Sequence, residues 1–416
     1  MKFSIVTFGC RVNQSDSLRL EEDLRRRGAE PCLSADADIV IVNTCSVTAT
    51  ADQGARQTIR RIARENPAAQ IVATGCYATR SPTELAALPN VVRVVRNDRK
   101  LELDDILGPS TAERFSLGDG PCGESIEPGM AGRTAFTLRV QTGCDQQCSY
   151  CIIPTTRGRG RSLPVVQVVE EARRVADAGF KEVALTGVHL GSYGRDLAAP
   201  SSLFELLCAL ANIDAEVTFR ISSLEPMDCT PEIVDFVALS GGRFAPHFHL
   251  PLQHGSDRML EAMRRPYSLA FYADLVRSII DRLPHASIGT DMIVGFPGES
   301  EDDFLHSLDY LSRAPLSHVH VFPYSDRPGT EASQLPDKIP GSVVRERGAA
   351  LRRAAAALSA TFRNAQVGTV RPGLTLEDGT LVVTDNYMKA RIPAGLKRNE
   401  RVNVLLTDVA EGIVVA

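Results

Sequence analysis

The stretch QTGCDQQCSYCIIP, residues 141–154, sets Cys144, Cys148 and Cys151 in a C-x3-C-x2-C run on what reads as a short loop. A [4Fe–4S] cluster takes four thiolates, so three on one loop hold three irons and leave the fourth open to another ligand. Zinc is the alternative, but a structural zinc site closes with four protein ligands, and no fourth cysteine or histidine lies nearby in the chain. A second trio is dispersed: Cys10, Cys45 and Cys76 each follow a short apolar, β-rich run, FSIVTFGC, ADIVIVNTC and AQIVATGC. It too is one ligand short.

The runs that carry the cysteines predict the architecture. Residues 1–107 alternate strand with helix, SDSLRLEEDLRRRG following the first cysteine run and TADQGARQTIRRIARENP the second. Such alternation predicts a parallel α/β sheet, whose ligands gather beyond the carboxyl ends of the strands. All three dispersed cysteines fall there, 35 and 31 residues apart, about one βαβ unit each. Residues 134–340 hold six further β-like runs: TAFTLRVQ, EVALTG, VTFRISS, HFHLPLQ, SIGTDMIVG and SHVHVFPY, with amphipathic stretches such as VVQVVEEARRVADAGF between them. Six βα units predict an incomplete (β/α)6 barrel with its chemistry at the carboxyl ends of the strands. Cys144 follows the first of these strands directly, and later ends carry Thr186, Gly187, Ser222, Glu225 and Gln253. Residues 108–133, rich in Gly, Pro and Ser without a period, read as a linker. A basic helical connector at 341–365 leads to 366–416, where TLVVTDNYMKARIP and RVNVLLTDVAEGIVVA predict a small β-barrel, the class that includes OB-like RNA binders.

Composition bounds the setting. With 416 residues, 44% of them hydrophobic, and a mean hydropathy near zero, the chain reads as soluble and multidomain. No run approaches the roughly 18 apolar residues of a membrane span, and Met1–Cys10 lacks a signal-peptide pattern. A cytoplasmic protein without a membrane partner is therefore expected, and there clustered cysteines signal metal or redox work rather than disulfides. A net charge of −5 argues against a globally basic nucleic-acid binder, but the charge is uneven. Residues 341–365 carry five Arg against one Glu, RGRGR at 157–161 adds three more, and Arg56, Arg60 and Arg64 recur at i, i+4 and i+8. Three basic patches in an acidic chain favour a polyanion partner over plain solvated surface. From Gln366 onward six Arg/Lys balance six Asp/Glu, so a merely structural cap is the alternative for the terminal segment.

GCDQQCSYCIIPTTRGRGRS, RISSLEP, PLQHGSDRMLEAMRR, DMIVGFPGE and HVFPYSDRPGT occur in that order, with GCRVNQSDS, NTCSVT and TGC around the dispersed cysteines. Together they resemble the radical S-adenosylmethionine methylthiotransferases over nearly the whole chain, the terminal segment resembling a TRAM RNA-binding domain. The resemblance implies that Cys144, Cys148 and Cys151 bind a [4Fe–4S] cluster whose open iron chelates S-adenosylmethionine, the source of a 5′-deoxyadenosyl radical. It implies that Cys10, Cys45 and Cys76 bind a second [4Fe–4S] cluster that carries the sulfur to be inserted. Thr186, Gly187, Ser222, Glu225 and Gln253 then sit where such barrels contact S-adenosylmethionine. Arg157 is a candidate contact for a substrate phosphate, and Arg56, Arg60 and Arg64 for tRNA. A flavodoxin or ferredoxin as electron donor and a sulfur donor are further expected partners.

TDNYMKARIP and the GCRVN opening resemble the branch that modifies carbon 2 of N6-threonylcarbamoyladenosine beside the tRNA anticodon. Other branches act on isopentenyladenosine in tRNA or on an aspartate of a ribosomal protein. A reading of another class is a non-catalytic iron–sulfur RNA-binding scaffold, which would release no 5′-deoxyadenosine. Of the remaining cysteines, Cys208 in LFELLCALA reads as core, Cys122 lies in the linker, and Cys32 and Cys229 have no assigned partner. His247 and His249 share a strand and are expected on opposite faces; His254 is the histidine expected near the site.

Overall fold

The computed structural model describes residues 1–102, 128 and 134–415, the side chains of 100–102 excepted. The expected linker at 108–133, with Cys122, lies outside those residues apart from Pro128. The first sheet is parallel and comprises β1 (Lys2–Thr7), β2 (Glu30–Pro31), β3 (Ile39–Thr44), β4 (Gln70–Gly75) and β5 (Val91–Val95), in the order β2-β1-β3-β4-β5. Every residue of β3 is buried, as a central strand covered on both faces requires. Between the strands run α1 (Arg11–Arg26), α2 (Ala49–Glu65), α3 (Cys76–Arg80) and α4 (Pro82–Ala86). Thr48 caps α2 by accepting the Ala51 N–H at 3.2 Å, and Ala55, Ile59 and Ile62 form its buried stripe. The sequence showed three of these strands. β2 has two residues and β5 is interrupted by Arg93, so neither presents a run of apolar residues.

The second unit holds six parallel strands: β6 (Phe136–Arg139), β9 (Glu182–Thr186), β10 (Thr218–Ile221), β11 (His247–His249), β12 (Ser287–Val294) and β13 (His318–Pro323). A short antiparallel pair, β7 (Gln141–Thr142) and β8 (Arg161–Ser162), closes the base of the cysteine loop. The parallel strands pair as β10-β9-β6 and β11-β12-β13, and bridges Phe219–Phe244 and Ser223–His249 join the two groups. Among the described residues nothing pairs β6 with β13, so the barrel is open. Helix α5 (Ile153–Arg157) follows the cysteine loop, and α6 (Val165–Asp177), α7 (Leu203–Ala211), α8 (Pro231–Leu239), α9 (Asp257–Ala262), α10 (Leu269–Arg282) and α11 (Glu301–Arg313) lie between strands.

The main core includes Phe248, Leu250, Ile288, Met292 and Val294 with Tyr272, Val276 and Ile279 of α10, which places it between strands and helices. The opposite, luminal face of β11–β13 carries histidines. His247 and His249 both stack on His318, at 6.0 and 5.9 Å, which corrects the expectation of opposite faces. Residues i and i+2 of a strand share a face.

A long helix, α12 (Gly341–Gln366), packs on β13 and α11 and leads to the terminal sheet. That sheet is antiparallel: β14 (Val370–Leu376), β15 (Leu381–Thr384), β16 (Lys389–Arg391), β17 (Arg401–Leu406) and β18 (Gly412–Val415), in the order β16-β15-β14-β17-β18. It curls so that its β16 edge reaches the residue before its β18 edge at the bridge Arg391–Glu411. It docks at the amino ends of the barrel strands, where Arg401 donates to Lys181 O and Glu216 O and Asn386 donates to His285 O. No helix among the described residues is long and apolar enough to cross a membrane.

Candidate metal centres

Strand register brings the dispersed cysteines together. Thr44 pairs with Gly75 across β3 and β4, so Cys45 and Cys76, the next residue of each, leave the sheet side by side. Thr7 pairs with Asn43, and the turn after β1 delivers Cys10 to the N-cap of α1. Two glycines make the approach possible. A Cβ on Gly9 (φ +91) would stand 2.6 Å from Cys45 Sγ, and one on Gly75 (φ +99) would stand 2.2 Å from Thr44 O. Asn13 ties the loops, its Nδ2 donating to Phe8 O at 2.8 Å and Thr44 O at 2.9 Å. Burial pushes the Cys45 thiol up to about 11; the Val47 N–H opposes this, and nearby Cys76 and Cys10 add to the rise. Asn97 Nδ2 donates to Cys76 Sγ at 3.6 Å.

The compact trio is organised by side chains from distant strands. Gln141 accepts the N–H groups of Val188 and His189, each at 2.9 Å, and donates to Gly143 O at 2.9 Å, fixing the end of β9 to the cysteine loop. The Gln146 N–H donates to Cys144 Sγ at 3.3 Å and Arg265 to Cys148 Sγ at 3.0 Å. Arg265, itself buried, also holds the Glu225 carboxylate and donates to Tyr267 OH at 2.9 Å. Burial pushes Cys151 up to about 12 and raises Cys148. Buried thiols of this kind become thiolates only against a metal's positive charge. Donors aimed at the sulfurs suit such ligation.

Helix α5 joins the two trios. It begins two residues after Cys151 and packs on α3, whose first residue is Cys76. The Asn97 amide that reaches Cys76 Sγ also donates to Thr156 O at 2.8 Å. Arg157 donates to Asn13, to Asp16 at 3.2 Å and to Thr142 Oγ1 at 3.3 Å. Burial opposes its charge, but Cys76, Asp16 and Cys10 outweigh burial and raise its pKa. A second clasp lies beside Cys45. Arg327, in the loop after β13, pairs with Asp52 and donates to Ser46 Oγ at 3.1 Å, while Arg80 reaches the same Asp52 at 2.6 Å.

With this geometry in place, comparison with known proteins decides the family. The chain is 38% identical to the threonylcarbamoyladenosine tRNA methylthiotransferase MtaB of Aquifex aeolicus, over 98% of this chain and 100% of that one. The chain belongs to the radical S-adenosylmethionine methylthiotransferase family.

Other members of the family fall on either side of the substrate question. The Bacillus subtilis protein with the same name as that of Aquifex is 35% identical, covering 82% of this chain and 77% of its own. A protein of Pelotomaculum thermopropionicum named tRNA-2-methylthio-N(6)-dimethylallyladenosine synthase is 33% identical, covering 88% and 85%. Residues 2–96 match the model described as Uncharacterized protein family UPF0004, and residues 138–311 match the Radical SAM superfamily. Among solved structures, the radical S-adenosylmethionine methyltransferase TsrM of Kitasatospora setae superposes with a TM-score of 0.55, covering 80% of this chain and 76% of that one. At 16% identity that likeness shows the fold alone. This chain is thus a radical S-adenosylmethionine methylthiotransferase, an enzyme that uses S-adenosylmethionine and a [4Fe–4S] cluster.

The expected site residues of this methylthiotransferase occupy varied places. Thr186 is buried at the end of β9, and Gly187 lies against the Gln141 side chain. Ser222 Oγ accepts from Arg11 at 3.3 Å, and Glu225 is held by Arg265 beside Cys148. Gln253 adopts φ +73 on the strand end beside Met292. Arg157 is 5% exposed, with its guanidinium spent on Asn13, Asp16 and Thr142, so it is no surface phosphate contact. Arg56 departs from its stripe as well: it donates to Tyr77 OH at 2.6 Å and pairs with Glu84 at 3.0 Å, whereas Arg60 and Arg64 remain exposed.

Two histidines stand in different surroundings. His254 is buried among Glu299, Ser256 and Ser307. His189 is the one beside Cys144, so a histidine does stand near the compact trio, brought there by the fold rather than by the chain. Burial lowers its pKa, but Asp228 at 2.7 Å and Cys144 more than offset this and raise it to about 9. Only its position three residues past a barrel strand hinted at this. Cys229 is core, Cys208 is half-buried on α7, and Cys32 donates to Phe3 O.

Proposed function

We propose that this enzyme inserts a methylthio group at carbon 2 of N6-threonylcarbamoyladenosine next to the tRNA anticodon. Cys144, Cys148 and Cys151 would hold the [4Fe–4S] cluster that binds S-adenosylmethionine, and Cys10, Cys45 and Cys76 a second [4Fe–4S] cluster. Bound there, the first supplies the electron that cleaves a carbon–sulfur bond of S-adenosylmethionine and the second supplies the sulfur. The chain's own work is to hold the two sites at one spacing and keep the space between them closed. The observation that carries the reading is the pair of ties across the seam, Arg157 to Asn13 and Asp16, and Arg327 to Asp52. Thr186, Gly187, Ser222, Glu225 and Gln253 would line the S-adenosylmethionine site at the strand ends.

The units at 1–107, 134–340 and 366–416 then divide the labour: sulfur-carrying site, radical barrel and TRAM-like RNA grip. For tRNA we assign the exposed Arg60 and Arg64 and the exposed face of α12 with Arg345, Arg352, Arg353 and Arg363. A cytoplasmic setting, a flavodoxin or ferredoxin as electron donor and a separate sulfur donor complete the reading. Mass spectrometry of tRNA nucleosides from a strain lacking the gene tests it. Loss of the methylthio form of threonylcarbamoyladenosine alone is expected. Its persistence, with loss of the isopentenyl counterpart, would assign the enzyme to the other substrate.

A further inference from the structure

Arginines crowd the seam between the amino-terminal unit and the barrel, and almost all are neutralised. Arg139 and Arg157 share Asp16, Arg80 and Arg327 share Asp52, Arg265 holds Glu225, and Arg220 holds Glu182. Arg11 is an exception. It follows Cys10 directly, on the first turn of α1, and α1 lies along β6 at the open edge of the barrel. Its Nη1 donates to Ser222 Oγ at 3.3 Å and its Nη2 to Tyr387 OH at 3.0 Å. No carboxylate among the described residues pairs with it. Two hydroxyls occupy one N–H on each terminal nitrogen, and the remaining donors of the guanidinium are unspent.

The surroundings are donor-rich. Tyr387 projects from the terminal sheet at φ +67 and rests on the His247 ring at 4.5 Å, with the guanidinium of Arg220 4.9 Å from its own ring. Two carboxylates on the barrel strands are committed. Asp291 is shared by His249 and His320, each at 3.2 Å, and Glu182 is held by Arg220. A half-buried guanidinium with free donors and no acid is a receptor for an oxyanion.

We propose that Arg11 binds the carboxylate of the substrate's N6 substituent and thereby selects an amino-acid-bearing adenosine over a prenylated one. This rests on the function proposed above and sharpens it. Carbon 6, which bears N6, and carbon 2 flank the same ring nitrogen, so a base whose carbon 2 lies between the two cysteine trios carries its N6 substituent alongside them, where Arg11 stands. A threonylcarbamoyl group brings a carboxylate and a hydroxyl to these donors. An isopentenyl group brings neither and leaves the charge unpaired, which is how a polar site rejects an analogue lacking the polar group. Tyr387, and Ser222 besides its place at the S-adenosylmethionine site, position the Arg11 guanidinium.

The test uses the full-length enzyme with its clusters reconstituted and two anticodon stem-loops, one bearing threonylcarbamoyladenosine and one its carboxamide analogue. The wild-type enzyme should prefer the carboxylate by about 10- to 100-fold in kcat/KM. Arg11→Gln should bring that ratio close to one through the KM of the carboxylate substrate, and Arg11→Lys should restore part of it. A ratio that stays at the wild-type value in Arg11→Gln would overturn the proposal. So would a rise in the KM for S-adenosylmethionine in place of the stem-loop, which would assign Arg11 to the cofactor's carboxylate. If the wild-type enzyme modifies neither stem-loop but accepts an isopentenylated one, the proposed substrate is wrong. That result is distinct from a failure at Arg11.

Discussion

Replacing Asp16 with Asn should loosen the seam between the two cysteine trios without touching a cysteine. Asp16 is 5% exposed and accepts from two arginines of the barrel unit, Arg139 and Arg157, whose side chains are 25% and 3% exposed. Burial already lowers the Arg139 pKa, Asp16 opposes that, and Arg157 deepens it. Asn at position 16 leaves the two guanidiniums facing each other without the carboxylate they share. Breaking a buried ion pair by removing one partner costs about 3–5 kcal/mol. Solvent reaches Arg139 and Asn13 still accepts from Arg157, so the lower end applies. About 3 kcal/mol is roughly a 150-fold shift in the docking equilibrium. Hydrogen exchange on the amides of α1 reads this locally, and protection there should fall by roughly that factor. In turnover, cleavage of S-adenosylmethionine to 5′-deoxyadenosine should outlast formation of the methylthio product, because the first needs one site and the second needs both at a fixed spacing. Protection in α1 within about threefold of wild type would refute the reasoning, since it would limit the ion pairs to about 0.7 kcal/mol.

Gly75→Ala should displace Cys76 by driving a Cβ into Thr44 O. Iron after anaerobic reconstitution should drop from about eight to about four per chain if the dispersed trio holds a cubane, and unchanged iron would argue against it. Burial first, with His249 and His320 adding, pulls His318 down to about 4. The unfolded chain then binds more protons, so this contribution to stability is full above about pH 6.5 and is lost as pH falls toward 4. His318→Phe should flatten the decline of the urea midpoint between pH 7 and 4.5, and an equal slope would remove His318 from the account. Reversing Arg345, Arg352 and Arg363 on α12 to Glu should weaken tRNA binding and reduce its salt slope by about one unit for each phosphate left without its arginine. An unaltered slope would place the RNA elsewhere.

The sequence by itself determined the two cysteine trios and the strands that present them. Both are local: a loop spacing in one case, and in the other the rule that a residue just past a β-run lies at a sheet's carboxyl edge. The six luminal strands were legible for the same reason, because hydrophobic runs encode backbone paths. Only the tertiary structure decided the partners of the long charged side chains. Arg157, in a run that reads as a basic surface turn, reaches Asn13 and Asp16 across 144 and 141 residues and becomes a buried tie. Arg56 is taken by Tyr77 and Glu84 from the next two helices, His189 arrives beside Cys144, and Arg11 is left without an acid among the described residues. Periodicity fixes where a backbone goes. Which charges meet is fixed when separate units dock, and burial then makes each pairing, or its absence, count.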